Sequence, residues 1–159
     1  ALPERFEKQV QFLDTHQAVG LVGTAFMYID GTNAVLGVEP VFVTDGEIRP
    51  RLLLHNCFGH GTVMMRRDLL NSVGGYDESY PYAQDYDLWL RIAERTDVAN
   101  LPDRLYCWRK SNTSVTSLHA SEQEHCAMRA KADASARGIL PPPVVGTVGQ
   151  VRNLTGVQP

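Results

Sequence analysis

The sequence predicts an α/β domain with a small, mixed sheet and helices packed on it. An amphipathic helical pattern near the N-terminus is followed at once by a long run of β-branched and apolar residues. A second helix, in the later half of the chain, carries apolar residues around most of its circumference. The length of 159 residues suits one domain that can fold without disulfides or a structural metal.

Composition and charge argue against several classes of partner. The formal net charge of -3 offers no basic surface for nucleic acid, and no apolar run is long enough to span a membrane. Residues 3–5 interrupt any signal-peptide layout. The three cysteines, Cys57, Cys107 and Cys126, are odd in number and follow no pattern. This usage favours a reducing, cytoplasmic setting over a disulfide framework.

The first element is predicted to be a helix over residues 3–15. Phe6, Val10 and Leu13 recur at the spacing of one helix face, with charged residues between them, so we expect these three side chains to face the core. Residues 19–29 are rich in β-branched and apolar side chains and predict one or two strands.

The middle of the chain is predicted from shorter patterns. Asp30 and Gly31 indicate a hairpin turn, with Val35 near the start of the returning strand. Further along we expect a turn at residues 45–46, a short helix at 51–54, a glycine-punctuated loop at 56–62, a strand at 63–65 and a helix at 68–73 that Gly74 ends.

The later part of the chain is organised around a helix over residues 84–95. Strands are predicted at residues 98–101 and 105–108, followed by a polar loop at 109–116. Ser121 and Glu124 form a candidate capping box for an alanine-rich helix that Gly138 ends. The remaining residues, 139–159, have no pattern and are predicted to be a mobile tail.

Residues 84–91, QDYDLWLR, place acids at the start of this helix, where backbone N–H groups and the helix dipole favour negative charge. A carboxylate held rigidly there and facing a cleft can act as a general base, which makes Asp85 a candidate catalytic residue. The alternative is that Asp85 only caps the helix. Asp87 lies four residues before Arg91, which predicts an ion pair on the helix surface.

Several segments, in this order, resemble the C-terminal half of family 2 glycosyltransferases, the inverting enzymes with the GT-A fold. The resemblance covers residues 3 to 117. The segments that carry it are 3–9, 60–67, 73–78 and 84–91, followed by 100–102 and 106–109.

The resemblance implies that residues 1–138 are the acceptor-side half of a larger enzyme, a partial GT-A fold without its N-terminal nucleotide-binding half. In relatives that missing half ends in an Asp-x-Asp stretch that holds a divalent metal, Mn or Mg, and the sugar-nucleotide diphosphate. We therefore expect the metal in the full-length parent and no cofactor in this fragment. The expected partners are a nucleotide-sugar donor and a saccharide or lipid-linked acceptor.

The resemblance also implies roles for particular residues. Asp85 would take the proton from the acceptor hydroxyl, and Gln84 stands beside it where the family more often has Glu. Gly59, His60 and Gly61 would line the acceptor cleft, although a tight loop with a structural histidine is an equal alternative.

Arg109 would bind phosphate, with a solvated basic turn as the alternative. Ser111 stands where relatives often carry a histidine, which weakens that role. His55, Cys57 and His60 fit no standard zinc spacing, so no metal ligand is predicted.

A second hypothesis is a non-catalytic binding or interaction module that keeps part of the fold. Without the N-terminal half that the first hypothesis implies, one sheet edge and one apolar face are expected to be uncovered. Uncovered edges pair with other chains and apolar patches mark interfaces, so we expect the fragment to self-associate.

Overall fold

The computed structural model describes residues 1–111 and 118–138, and it confirms the α/β class with a small mixed sheet. The predicted tail at 139–159 and most of the predicted loop at 109–116 lie outside the described residues. The elements, in chain order, are α1 (Arg5–Thr15), β1 (Val19–Ile29), β2 (Val35–Glu39), α2 (Asp45–Leu52), a 3-10 turn (His60–Thr62), β3 (Met64–Met65), α3 (Arg67–Ser72), α4 (Gln84–Ala93), β4 (Asp97–Arg109) and α5 (Ala120–Arg137).

The sheet is built around β1. Strand β4 runs parallel to β1 along its length, while β2 pairs antiparallel with the second half of β1 and β3 pairs antiparallel near its start. The two strands predicted at 98–101 and 105–108 are one continuous strand. Its register shifts after Thr24, which faces Leu101, because residues 102 and 103 have no partner on β1. Pro102 cannot donate a ladder hydrogen bond, and it falls in this bulge.

The buried face of α1 is not the one that its apolar residues predict. Phe6 and Val10 are 60% and 47% exposed, whereas Arg5 and Gln9 are buried together with Leu13. The prediction that Phe6 and Val10 face the core was therefore wrong.

Hydrogen bonding explains why a glutamine replaces an apolar residue on the inner face. Gln9 Nε2 donates to the carbonyl oxygens of Val22, at 2.9 Å, and Thr62, at 2.8 Å. Both carbonyls lie inside the protein, where an unpaired polar group is costly. The side chain thus ties α1 to β1 and to the 3-10 turn.

Helix α2 corrects a second prediction. Asp45 and Gly46 begin a helix rather than forming a turn, and this helix ends at Leu52, close to where a helix had been expected to begin. Thr44 and Glu47 form a capping box, in which the Thr44 backbone N–H donates to Glu47 Oε2 at 3.0 Å. This cap stabilises a helix start that the Asp-Gly pair obscures in the sequence.

The two predicted glycine stops are confirmed. Gly74 follows Val73, the C-cap residue of α3, and Gly138 is the C-cap residue of α5; both have positive φ, 84° and 67°. The predicted capping box of α5 is wrong, because its N-cap residue is His119. Ser121 instead lies inside the first turn and donates to Glu122 Oε2 at 2.9 Å.

The core forms two clusters: the smaller joins Leu13 of α1 to the sheet, and the larger joins α4 to the sheet. Trp89 is fully buried, and Ala130 and Ala134 of α5 belong to the same cluster. Their small side chains let α5 lie close against α4. Within the described part of the chain, no helix combines the length and apolarity needed to cross a membrane.

Candidate functional site

The candidate site lies at the N-terminus of α4. The N-cap residue of this helix is Ala83, so Asp85 is its second residue and the N-cap alternative for Asp85 is wrong. Asp85 Oδ1 accepts the backbone N–H of Tyr86 at 2.8 Å. Its side chain is 20% exposed, so the carboxylate is held against the helix and still reaches solvent.

Helix α4 is fixed from the inside, which makes the position of Asp85 rigid. Tyr86 Oη donates to the Leu52 carbonyl at 2.5 Å. The buried ring of Trp89 meets the rings of Phe58 and His60 edge-on, with centroids 6.3 and 6.1 Å apart. A base held this way needs little reorganisation to meet a substrate proton.

His60 lies beside Asp85, with its Nδ1 3.9 Å from Asp85 Oδ2. This distance is too long for a direct hydrogen bond but close enough for the two charges to interact when the imidazole is protonated. The other ring nitrogen, Nε2, is 3.1 Å from Tyr76 Oη. Burial and, to a smaller extent, the Asp85 charge raise the pKa of Tyr76, so its hydroxyl stays protonated.

The predicted residues Asp85 and His60 are thus brought together, with Gln84 next to Asp85 as the first residue of α4. Sequence reasoning missed Tyr76 as a neighbour of His60. A signal was available, because Tyr76 lies within the 73–78 segment that carries the family resemblance.

The flanking glycines have a packing role. A Cβ on Gly61 would lie 2.4 Å from Tyr106 Oη, and one on Gly59 would lie 3.0 Å from Phe26 Cε1. Thr62 Oγ1 donates to the Gly59 carbonyl at 2.8 Å and closes the turn. The tight-loop alternative therefore accounts for both glycines, while the exposed His60 side chain between them meets Asp85.

Arg109, the last residue of β4, forms hydrogen bonds with the turn between β1 and β2. Its guanidinium donates to the Asp30 carbonyl and to Asn33 Oδ1, the latter at 2.7 Å. These bonds hold the turn between β1 and β2. The structure thus gives Arg109 a structural partner, and no contact among the described residues joins it to Asp85.

Comparison with known proteins bears on what this site does. No protein-family model matches the chain. Three relatives are amylovoran biosynthesis glycosyltransferase AmsE of Erwinia amylovora, O-antigen biosynthesis glycosyltransferase WbnJ of Escherichia coli and putative glycosyltransferase EpsE of Bacillus subtilis. They are 37%, 34% and 32% identical over 72%, 80% and 70% of this chain. Its named relatives are glycosyltransferases.

The match covers 42%, 50% and 40% of these three glycosyltransferases. The chain therefore spans half or less of the length of the relatives it resembles. This similarity supports the interpretation that the chain derives from a glycosyltransferase, which agrees with the resemblance found in the sequence.

Asp87, the second acid of α4, was predicted to lie on the helix surface, and that prediction was wrong. The predicted pair with Arg91 is present, at 2.6 Å from Arg91 Nη2, but the side chains are only 3% and 18% exposed. Arg91 also donates to the carbonyls of Val73, at 2.6 Å, and Gly75, at 2.8 Å. Asp87 is therefore buried and Arg91 partly buried, and the guanidinium satisfies carbonyls just after the end of α3.

A metal-binding role for His55, Cys57 and His60 gains no support. Their spacing fits no standard zinc pattern. Burial raises the pKa of the Cys57 thiol to about 12. Within residues 1–111 and 118–138, no three His, Cys, Asp or Glu side chains gather as ligands.

Proposed function

We propose that residues 1–138 form the acceptor-side half of an inverting family 2 glycosyltransferase with the GT-A fold, and that Asp85 is its catalytic base. The observation that carries this proposal is the placement of Asp85: a partly exposed carboxylate on a rigid helix, beside His60, in a chain whose relatives are named glycosyltransferases.

The chemistry asked of Asp85 is one proton transfer. An acceptor hydroxyl attacks the anomeric carbon of the donor sugar from the face opposite the leaving group, and Asp85 takes the hydroxyl proton as the new bond forms. The bond to the nucleotide diphosphate breaks in the same step, and the configuration inverts. A positioned base contributes typically ~10²–10⁴-fold to such a step.

The donor side is proposed to lie in the part of the parent enzyme that precedes these residues. There the nucleotide-sugar would bind with Mn²⁺ or Mg²⁺. The described residues show no ligand group suited to the metal, so no step is assigned to it here. The names of two relatives refer to amylovoran and O-antigen biosynthesis. By analogy, the proposed acceptor is a saccharide or lipid-linked saccharide. The cytoplasmic setting remains an expectation from the cysteine usage.

Self-association of the chain is part of the proposal. Phe6 and Val10 on α1, and Val35 and Leu36 on β2, are large apolar side chains with 47–60% of their surface exposed. Exposed apolar surface of this kind favours contact with another chain. Sedimentation that finds only monomer at high concentration would contradict it.

The experiment has two arms. In the first, the coding sequence upstream of Ala1 is inspected for an Asp-x-Asp stretch, and the full-length protein is assayed for transfer from a panel of nucleotide-sugars with manganese. We expect the stretch and the activity. A start codon immediately before Ala1, with no transfer activity, would instead favour the non-catalytic module.

In the second arm, calorimetry measures nucleotide-sugar binding by residues 1–159 alone. We expect weak binding or none, because the groups that stabilise the leaving diphosphate are proposed to lie elsewhere. Tight, metal-dependent binding would show that the donor site is contained in these residues.

A further inference from the structure

A cavity of about 280 Å³ lies on the sheet side of the loop that carries His60. Its walls come from the second half of β1, the end of β4, the connection from β2 to α2, and the segment from His55 to Gly59. None of the residues assigned to proton transfer lines it. We infer that this cavity is a saccharide subsite that binds one sugar ring of the acceptor, an assignment that rests on the proposed function.

One wall is aromatic. Phe26 and Tyr28 are alternate residues of β1 and therefore face the same side of the sheet, and Trp108 is the β4 partner of Tyr28. The ring centroids of Trp108 lie 5.6 Å from Phe26 and 6.2 Å from Tyr28. Lys110 Nζ lies 4.4 Å from the Tyr28 ring centre. Trp108, 37% exposed, therefore supplies the open aromatic surface.

Other parts of the lining are polar. Glu39 and Asn56 both contribute to it. Tyr28 Oη donates to Glu39 Oε2 at 2.9 Å, which fixes this carboxylate at the edge of the aromatic wall. Burial and this hydrogen bond raise the pKa of Tyr28 to about 12, so the donor persists over the physiological range.

An aromatic wall next to polar lining groups favours a sugar ring over an apolar ligand. A sugar ring has an apolar C–H face that stacks on an indole and hydroxyl groups that donate to a carboxylate. A lipid chain would instead desolvate Glu39 and Asn56 without hydrogen bonds in return, which is unfavourable. The volume of about 280 Å³ lies at the small end of ligand pockets, which start near ~300 Å³, and suits a single ring.

The cavity is also suitably placed. Gly59 lines it, and the next residue, His60, is the one whose Nδ1 lies 3.9 Å from Asp85 Oδ2. A ring bound against Trp108 is thus separated from the candidate base by the width of one loop. This relation puts the cavity on the acceptor side of the site.

The test uses four probes, the methyl glycosides of glucose, galactose, mannose and N-acetylglucosamine, titrated into the chain and followed by amide and indole NMR shifts. At least one probe should give saturable shifts at Trp108 and around Glu39 and Asn56. Trp108→Ala should weaken binding at least ~10-fold, as ring stacking predicts. Phe6→Ala, which removes an exposed aromatic ring away from the cavity, should leave the affinity unchanged.

Three results would overturn the inference: no saturable shift with any glycoside, shifts that survive Trp108→Ala, or equal binding of cyclohexylmethanol, which would make the cavity merely apolar. The proposal of the subsite and the proposal of the catalytic base can be refuted separately. Asp85→Asn tests the base alone, through the turnover of the full-length protein. Retained turnover by that variant in the full-length protein would refute the base while leaving this subsite intact.

Discussion

The Asp87 carboxylate and the Arg91 guanidinium form an ion pair inside the protein, with Arg91 Nε and Nη2 donating to the same Asp87 oxygen at 2.9 and 2.6 Å. Asp87 lies two residues after the candidate base Asp85, in the first turn of the same helix. Because Arg91 also bonds the carbonyls of Val73 and Gly75, it joins α4 to the end of α3. Asp87 is therefore a structural acid, in contrast to its neighbour Asp85.

Asp87→Asn should strongly destabilise the fold. It leaves the partly buried Arg91 guanidinium without its charged partner. Breaking a fully buried pair costs about 3–5 kcal/mol, so we expect a loss near the lower end of that range. Urea denaturation should show a loss of this order. Asp103→Asn, which breaks an exposed pair with Lys8, is the control and should cost less than ~1 kcal/mol. Equal losses in the two variants would show that burial of the Asp87 pair contributes nothing.

Gln9→Leu should destabilise the protein more than Phe6→Ala, although the first change adds an apolar residue and the second removes one. Leucine leaves the Val22 and Thr62 carbonyls without this donor, at about 1–3 kcal/mol for each buried group. Phe6 is largely exposed, and its truncation should change the free energy of unfolding by no more than ~0.5 kcal/mol. Thermal denaturation of the two variants gives the comparison. A larger loss of stability in Phe6→Ala than in Gln9→Leu would support the inner face that the sequence predicted for α1.

The stability of the protein should fall as the pH rises above about 9. Burial raises the pKa of Cys57 from 9.0 to about 12 in the folded protein, so the unfolded chain loses this proton first. The unfolded state then binds fewer protons, and the free energy of unfolding declines between pH 9 and 12 by up to about 1.4 kcal/mol per pH unit for this group. Cys57→Ser removes the titrating thiol, so urea titrations at pH 8, 9 and 10 should give a shallower decline. Identical slopes would contradict a buried, protonated thiol.

Local patterns were sufficient for much of the fold. The apolar periodicity of α4, the hairpin after Ile29 and the glycine stops at Gly74 and Gly138 each rest on residues adjacent in sequence, and all were predicted. The errors arose where contacts with residues distant in sequence determine which side chains are buried. The inner face of α1 depends on carbonyls of β1 and the 3-10 turn, to which Gln9 donates, and an apolar pattern cannot reveal them.

The candidate site was predicted only in part, again because some of its contacts join residues distant in sequence. Asp85 could be singled out because it opens a helix that is buried on most sides. That His60 faces it depends on how the loop closes against Tyr106 and Phe26, two strand residues distant in sequence. The burial of Asp87 likewise depends on carbonyls after α3. The bonds from Arg109 to the hairpin turn join residues 76 and 79 positions apart, a separation at which charge alone suggests only a solvated or phosphate-binding role.

The central claim is that Asp85 is a base, and the most direct measurement compares Asp85→Asn with Asp68→Asn in the full-length protein that contains these residues. Asp68 is an exposed acid in the first turn of α3 and serves as the matched control. Asparagine keeps the shape of Asp85 and removes its basicity, so turnover should fall at least ~10²-fold while the melting temperature and donor affinity stay nearly unchanged. Asp68→Asn should retain turnover. Retained turnover in Asp85→Asn, or a loss of activity that follows a loss of folded protein, would contradict the account.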